Sequence, residues 1–191
     1  MVLALVLATA ACSAATHAAS VVPPQPADEV PCRPADLRGI FRGFQGAGGS
    51  LAGAVVVANI GSDPCWLDGS PRSVSLLDDA GGAVSVKEHA VDLPLNGGTV
   101  KLTPGAPLPA FGSALASGSA WFTLSWSNWC SDASPTIQAL LIVLPAGGSI
   151  TAPIDTGIPS WAAGPPTPGC SDSHLASTLT FGRFQPPAAD Q

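Results

Sequence analysis

The chain has 191 residues, of which 46% are hydrophobic and 10% are charged, with 7 basic and 13 acidic residues and a net charge of −6. This much apolar sequence can form the core of one domain, and a disordered chain would carry more charge. The composition also excludes a nucleic-acid-binding protein, because no cluster of Lys and Arg is present to displace counterions from phosphates.

The N-terminal segment MVLALVLATAAC is apolar as far as Ala11 and ends at Cys12. Its length fits the hydrophobic region of a signal peptide and is too short to cross a bilayer. LATAAC resembles a bacterial lipobox, in which the cysteine is lipidated, although Thr9 stands where the motif usually carries Leu. We therefore expect residues 1–12 to direct export and Cys12 to carry a lipid anchor in the membrane. An ordinary signal peptide, cleaved within SAATHAAS, is the alternative.

The remaining cysteines indicate disulfide bonds. They are four in number: Cys32, Cys65, Cys130 and Cys170. An even number in an exported chain indicates two disulfides, for which three connectivities are possible. We favour Cys32–Cys65 and Cys130–Cys170, because each pair closes a loop of modest length. The cysteines and histidines lack the spacing of metal ligands, so we predict no metal site and no cofactor.

Short apolar runs separated by Gly, Pro, Asp and Ser indicate an all-β domain. Residues 13–30 are small, polar and proline-bearing, and we interpret them as a tether to a single domain over residues 31–187. Within that domain we predict strands at 37–44, 51–60, 73–78, 83–88, 100–102, 119–127, 137–144, 149–153 and 175–184. About eight or nine strands at this spacing favour a two-sheet antiparallel β-sandwich, like the immunoglobulin fold.

The segment SAWFTLSWSNWC is the most informative of these strands. One set of alternating positions is apolar and predicts a core face: Ala120, Phe122, Leu124 and Trp126. The other set is polar, with Trp121 and Trp129 near its ends, and two exposed indoles beside hydroxyl groups can stack on sugar rings. Trp161 is the large apolar residue in the middle of segment 155–174, which has no strand signal. Trp121, Trp129 and Trp161 are therefore a candidate ligand surface, unless loops or the sandwich cover all three.

Several motifs occur in a fixed order: VPCRPADL, then NIGSDPCWLDGSP, then VKLTPGAP, then WFTLSWSNWC. This order resembles the bacterial, mainly actinobacterial, family of exported proteins and lipoproteins called domain of unknown function 4232. The resemblance covers about residues 32–184. It implies an all-β exported domain whose biochemical role is unsettled, and it supplies no catalytic residues.

Catalytic patterns are weak. Asp172, Ser173 and His174 are adjacent in sequence, which is typical of a turn and not of a Ser/His/Asp triad, and no G-x-S-x-G motif is present. We therefore expect a non-enzymatic, exported binding or interaction module whose partner is an envelope protein or a glycan. Carbohydrate binding through the exposed tryptophans is the first alternative. A hydrolase that uses Ser173 or another serine with His89 or His174 is the second.

Overall fold

The computed structural model describes residues 30–47, 49–91, 98–116, 118–159 and 164–187. The described residues contain ten strands, one short 3₁₀ turn at Pro34–Asp36 and no α-helix. The strands are β1 (Leu37–Ala47), β2 (Ser50–Asn59), β3 (Cys65–Leu67), β4 (Ser73–Leu77), β5 (Lys87–Ala90), β6 (Val100–Leu102), β7 (Ser119–Ser127), β8 (Ala139–Val143), β9 (Ser149–Pro153) and β10 (Thr178–Phe181).

Two larger sheets share one hydrophobic core, as in a β-sandwich. The first has the strand order β1-β2-β7-β10-β5, and the second has the order β4-β8-β9. Both contribute alternate residues to a single apolar cluster. A small third sheet pairs β3 with β6. The all-β, mainly antiparallel architecture expected from the sequence is therefore confirmed, with β3 as an additional short strand.

One strand pair is parallel, which strand spacing alone does not indicate. β5 pairs in parallel with β10, so that Lys87 lies opposite Thr178 and His89 lies opposite Thr180. β5 also begins later than residues 83–88 suggest. The preceding residues extend the edge of β4 instead, since the Val84 amide donates to the Leu76 carbonyl at 2.9 Å.

A β-bulge in β1 adds a second large aromatic side chain to the core. The register of β1 against β2 shifts between Phe41 and Phe44, and Gly43 has a left-handed φ of +75°. Two residues three positions apart would face opposite sides of a regular strand. Here both rings are buried, with their centroids 4.8 Å apart. Phe44 in turn contacts Trp126 on β7, at 5.6 Å between centroids.

The open edges of the two sheets are joined in two different ways. At one side, the Asp155 amide donates to the Phe41 carbonyl, which connects the end of β9 to β1. At the other side, Glu88 on β5 extends its carboxylate to β4. It accepts hydrogen bonds from the Val74 amide at 3.2 Å and from the Ser75 hydroxyl at 2.8 Å. Both edges of the sandwich are therefore covered without a continuous strand ladder.

Candidate functional site

The two disulfides lie in different environments. Cys32 is bonded to Cys65 and Cys130 to Cys170, which is the connectivity that the sequence favours. Cys32 and Cys65 are buried, whereas Cys130 and Cys170 are exposed. Disulfides persist in oxidising compartments, so this pair of bonds indicates a location outside the cytoplasm. Cys12, the candidate lipid attachment site, lies outside the described residues.

Asn128 fixes the end of β7 and holds the loop that follows Cys170. Its backbone φ is +60°, which is uncommon for a residue other than glycine. Its side-chain amide donates to the carbonyls of Asp172 and Leu175, both at 2.8 Å. Its side-chain oxygen accepts hydrogen bonds from the backbone amides of Ser171 and Asp172 and from the Ser171 hydroxyl. Sequence reasoning missed this residue, because its partners lie more than 40 positions away.

The conformation of Asn128 turns Trp129 towards the core. Trp129 packs against the buried Trp126, with 5.5 Å between ring centroids, and its indole N–H donates to the Ala133 carbonyl. Trp121 instead lies on the outer side of β7, because the residues that alternate with it are buried. This corrects the expectation, drawn from strict alternation, that Trp121 and Trp129 share one face. Trp161 lies outside the described residues.

Trp121 is half-buried and held in place by the C-terminal segment. Its backbone pairs with Gln185 through hydrogen bonds of 3.0 and 2.8 Å. Its indole N–H donates to the Pro186 carbonyl at 3.0 Å. The ring is therefore fixed in one orientation at the end of a solvent-facing surface.

That surface is the outer side of β7 and β10, which we call the hydroxyl face. It is formed by Thr123, Ser125, Ser127, Thr178 and Thr180. The register places Thr180 opposite Ser125 and Thr178 opposite Ser127, and opposed residues point to the same side of a sheet. Thr123 is exposed and the other four are half-buried. Exposed Ala52 continues the face onto β2, so the face bears short side chains.

Lys87 and His89 border the hydroxyl face along β5. Both are exposed, and they lie opposite Thr178 and Thr180. The intervening Glu88 points away from the face, towards β4. The five strands of this sheet contain three of the 7 basic residues of the chain and only one of its 13 acidic residues.

An apolar groove lies elsewhere on the molecule, beside the segment that follows β9. It has a volume of about 380 Å³ and is lined in part by Phe44, Ile137 and Ile158. Arg42 holds segments beside the groove together, because the Arg42 guanidinium pairs with the Asp155 carboxylate and also donates to the Pro109 carbonyl. Both charged side chains are largely buried.

The candidate hydrolase residues occupy different parts of the surface. His174 and Ser173 are exposed in a turn where the His174 amide donates to the Asp172 carboxylate at 2.8 Å. This is the local bonding of an Asx-turn. His89 is exposed on β5, which is a separate element. Within the described ranges, neither imidazole forms a hydrogen bond with a serine or a carboxylate.

The sequence profile of the family described as Domain of unknown function (DUF4232) matches residues 32–182. The chain belongs to this family. No curated protein and no solved structure shows significant similarity to the chain.

In this DUF4232 domain, two motifs that are distant in sequence meet at Asn59. Its side-chain amide donates to the Asp63 carbonyl at 2.7 Å, and its side-chain oxygen accepts from the Gly61 amide. Its backbone carbonyl accepts from the Gly105 amide at 3.0 Å, which joins NIGSDPC to LTPG. Asn59 is fully buried. These motif residues therefore form a structural joint around the Cys32–Cys65 bond.

Trp66, next to that bond, contributes to the wall of a second cleft. The cleft has a volume of about 210 Å³ and is also lined by Cys32, Leu144 and Pro145. The Lys101 ammonium lies 5.5 Å from the centre of the Trp66 ring, within the range of a cation–π interaction. Trp66 is therefore half-buried beside the disulfide, where it lines this cleft.

Two further properties of the DUF4232 domain concern metals and membranes. The described ranges hold no group of three or more His, Cys, Asp or Glu side chains that is arranged to bind a metal ion. In the same ranges, no helix has the length and apolar character needed to cross a bilayer.

Proposed function

We propose that the protein is a non-catalytic binding module that works at the cell envelope, with the hydroxyl face as its binding surface. The observation that carries this proposal is the exposure of the face. The outer side of the other half of the five-stranded sheet is covered, since Val56 and Ala58 on β2 are buried although they point outward. In contrast, Ala52 and Thr123 are exposed on the same side.

The chemistry of the hydroxyl face favours recognition over catalysis. Serine and threonine hydroxyls both donate and accept hydrogen bonds, so they can bind ligands with many polar groups. The face lies on paired strands and not on loops, which keeps these groups at fixed positions and lowers the entropy cost of binding. Trp121 adds a rigid aromatic surface at one end.

A matched pair of variants tests the binding surface. Thr123 and Thr151 are both exposed threonines within strands, on different sheets. We expect Thr123→Glu to reduce sedimentation of the purified domain with isolated cell envelopes by about tenfold, because it adds a charge and bulk to the face. Thr151→Glu should bind like the unmodified protein. Equal binding by both variants, or no binding by the unmodified domain, would contradict the proposal.

Lipid attachment at Cys12 would hold this module at the membrane, and the tether would give it reach. The two disulfides support export, and the lipobox resemblance supports acylation. The same envelope preparation provides the test, because mass spectrometry of the N-terminal peptide should show an acyl mass on Cys12. A mature N-terminus beyond Cys12 would instead indicate ordinary secretion.

A further inference from the structure

We infer that the ligand of the hydroxyl face is an acidic polysaccharide, which the strip of hydroxyls, Trp121 and the Lys87 ammonium bind together. This inference rests on the proposed function and names its ligand class. Three features of the face support it: its charge, its spacing and its lack of a large apolar centre.

The face is bordered by a positive charge, whereas the molecule as a whole is negative. The chain carries a net charge of −6, yet β1, β2, β7 and β10 contain no acidic residue. The one acidic residue of the sheet, Glu88, directs its carboxylate to the Val74 amide and the Ser75 hydroxyl of the other sheet. Lys87 is exposed beside the face, and the described residues provide it with no ion-pair partner. An anionic ligand that approaches this side therefore meets the Lys87 ammonium and no acidic side chain of β1, β2, β7 or β10.

The spacing of the hydroxyls fits an extended polymer. Alternate residues of one strand are about 6.7 Å apart, and neighbouring strands are about 4.8 Å apart. From Trp121 to Ser127 the face is about 20 Å long, which exceeds a single sugar. Hydroxyl groups on β7 and β10 lie in paired rows, since Ser125 is opposite Thr180 and Ser127 is opposite Thr178. A polysaccharide laid along β7 would meet such a row at regular intervals.

Trp121 would provide the apolar contact that sugar rings need. The carbon–hydrogen side of a pyranose packs on an aromatic ring, and the fixed indole of Trp121 loses little entropy on binding. A protein partner is less compatible with the face. Protein interfaces are anchored by buried aromatic or Arg residues near their centres, whereas the centre here consists of Thr123 and Ser125.

A glycan array with acidic and neutral bacterial polysaccharides tests the ligand class. We expect the unmodified domain to bind spots that contain uronic acid or phosphate, and to lose this binding as salt concentration rises. On the strongest acidic polysaccharide, Lys87→Glu should weaken affinity by about tenfold. Lys101→Glu is the matched control, because it makes the same charge change on β6 beside Trp66, and it should retain affinity. Ser125→Ala should weaken binding without a change in the salt dependence.

The outcomes separate this inference from the proposed function. Binding to neutral polysaccharides alone, or equal losses in Lys87→Glu and Lys101→Glu, would overturn the acidic ligand. A third outcome would also overturn it: the unmodified domain still binds envelopes after enzymatic removal of polysaccharide, and Thr123→Glu does not. This result would identify a protein partner on the same face. The proposed function would stand in each of these cases. The proposed function fails only if Thr123→Glu and Thr151→Glu sediment equally with envelopes, or if the unmodified domain does not bind them.

Discussion

Asn128 couples an unusual backbone conformation to five side-chain hydrogen bonds, so a single residue determines where β7 ends. We expect Asn128→Gly to lower the free energy of unfolding by about 2–4 kcal/mol, because glycine accepts the positive φ but removes all five side-chain hydrogen bonds. Asn128→Ala should cost about 1 kcal/mol more, owing to strain in the left-handed region. Urea unfolding with both disulfides intact gives these values. Two variants within 0.5 kcal/mol of the unmodified protein would show that the loop binds Asn128 without stabilising the fold, since changes of about that size are typical of inert surface sites.

Asn128 also shows why the sequence predicts the position of Trp121 correctly and that of Trp129 wrongly. Alternation places Trp121 outside and Trp126 in the core, and the burial of β7 follows it from Ala120 to Ser127. It fails at Trp129, because the left-handed Asn128 interrupts the strand. That conformation depends on contacts with Ser171, Asp172 and Leu175, which no local pattern reveals.

At the scale of strands, Glu88 takes the place of a hydrogen-bonding neighbour for β4. We expect Glu88→Ala to lower the free energy of unfolding by about 1–3 kcal/mol, because the Val74 amide then loses its acceptor. Lys87→Ala, the exposed neighbour on the same strand, should change it by less than about 0.5 kcal/mol. Hydrogen exchange of the Val74 amide provides a local measurement and should accelerate in Glu88→Ala only. An unchanged exchange rate would mean that solvent or another group already satisfies this amide.

Strand order separates what the sequence could predict from what it could not. The apolar runs locate β1, β2, β6, β7 and β9 closely, because strong alternation or burial marks them. The parallel pairing of β5 with β10 depends on which edge remains open after the other strands have paired, and this is a property of the whole sheet. The hydroxyl face depends both on alternation within a strand and on the pairing of strands. Its residues on β7 can be read from alternation, but their alignment with Thr178, Thr180 and Lys87 requires the register.

Across the whole molecule, acidic residues are distributed unevenly between surfaces. The five-stranded sheet is nearly free of acidic side chains, although the chain as a whole is acidic. If the hydroxyl face binds an acidic polysaccharide, as we infer, this distribution would orient the domain towards its ligand more than it would strengthen any one contact. A chain whose composition excludes nucleic acid can in this way still offer one surface to the acidic polysaccharide that we infer.

The two disulfides join distant parts of the molecule and should differ in reactivity more than in stabilisation. Their loops span 33 and 40 residues, so loop entropy assigns each about 4 kcal/mol. Access differs, since Cys130 and Cys170 are exposed whereas Cys32 and Cys65 are 3% and 7% exposed. Thiolate attack requires access to sulfur. We therefore expect dithiothreitol to reduce Cys130–Cys170 at least about tenfold faster in the folded protein, as measured by timed alkylation and mass spectrometry.

Unfolding in urea provides the control for this difference, because it exposes all four cysteines equally. The two bonds should then be reduced at similar rates. The fold should also persist after selective reduction, because Asn128 holds the Cys170 loop to β7 through five hydrogen bonds that do not involve sulfur. Simultaneous reduction of both bonds in the folded state would show that the domain opens as a unit. In that case the buried joint around Asn59 and Cys65 would be no more protected than the exposed loop.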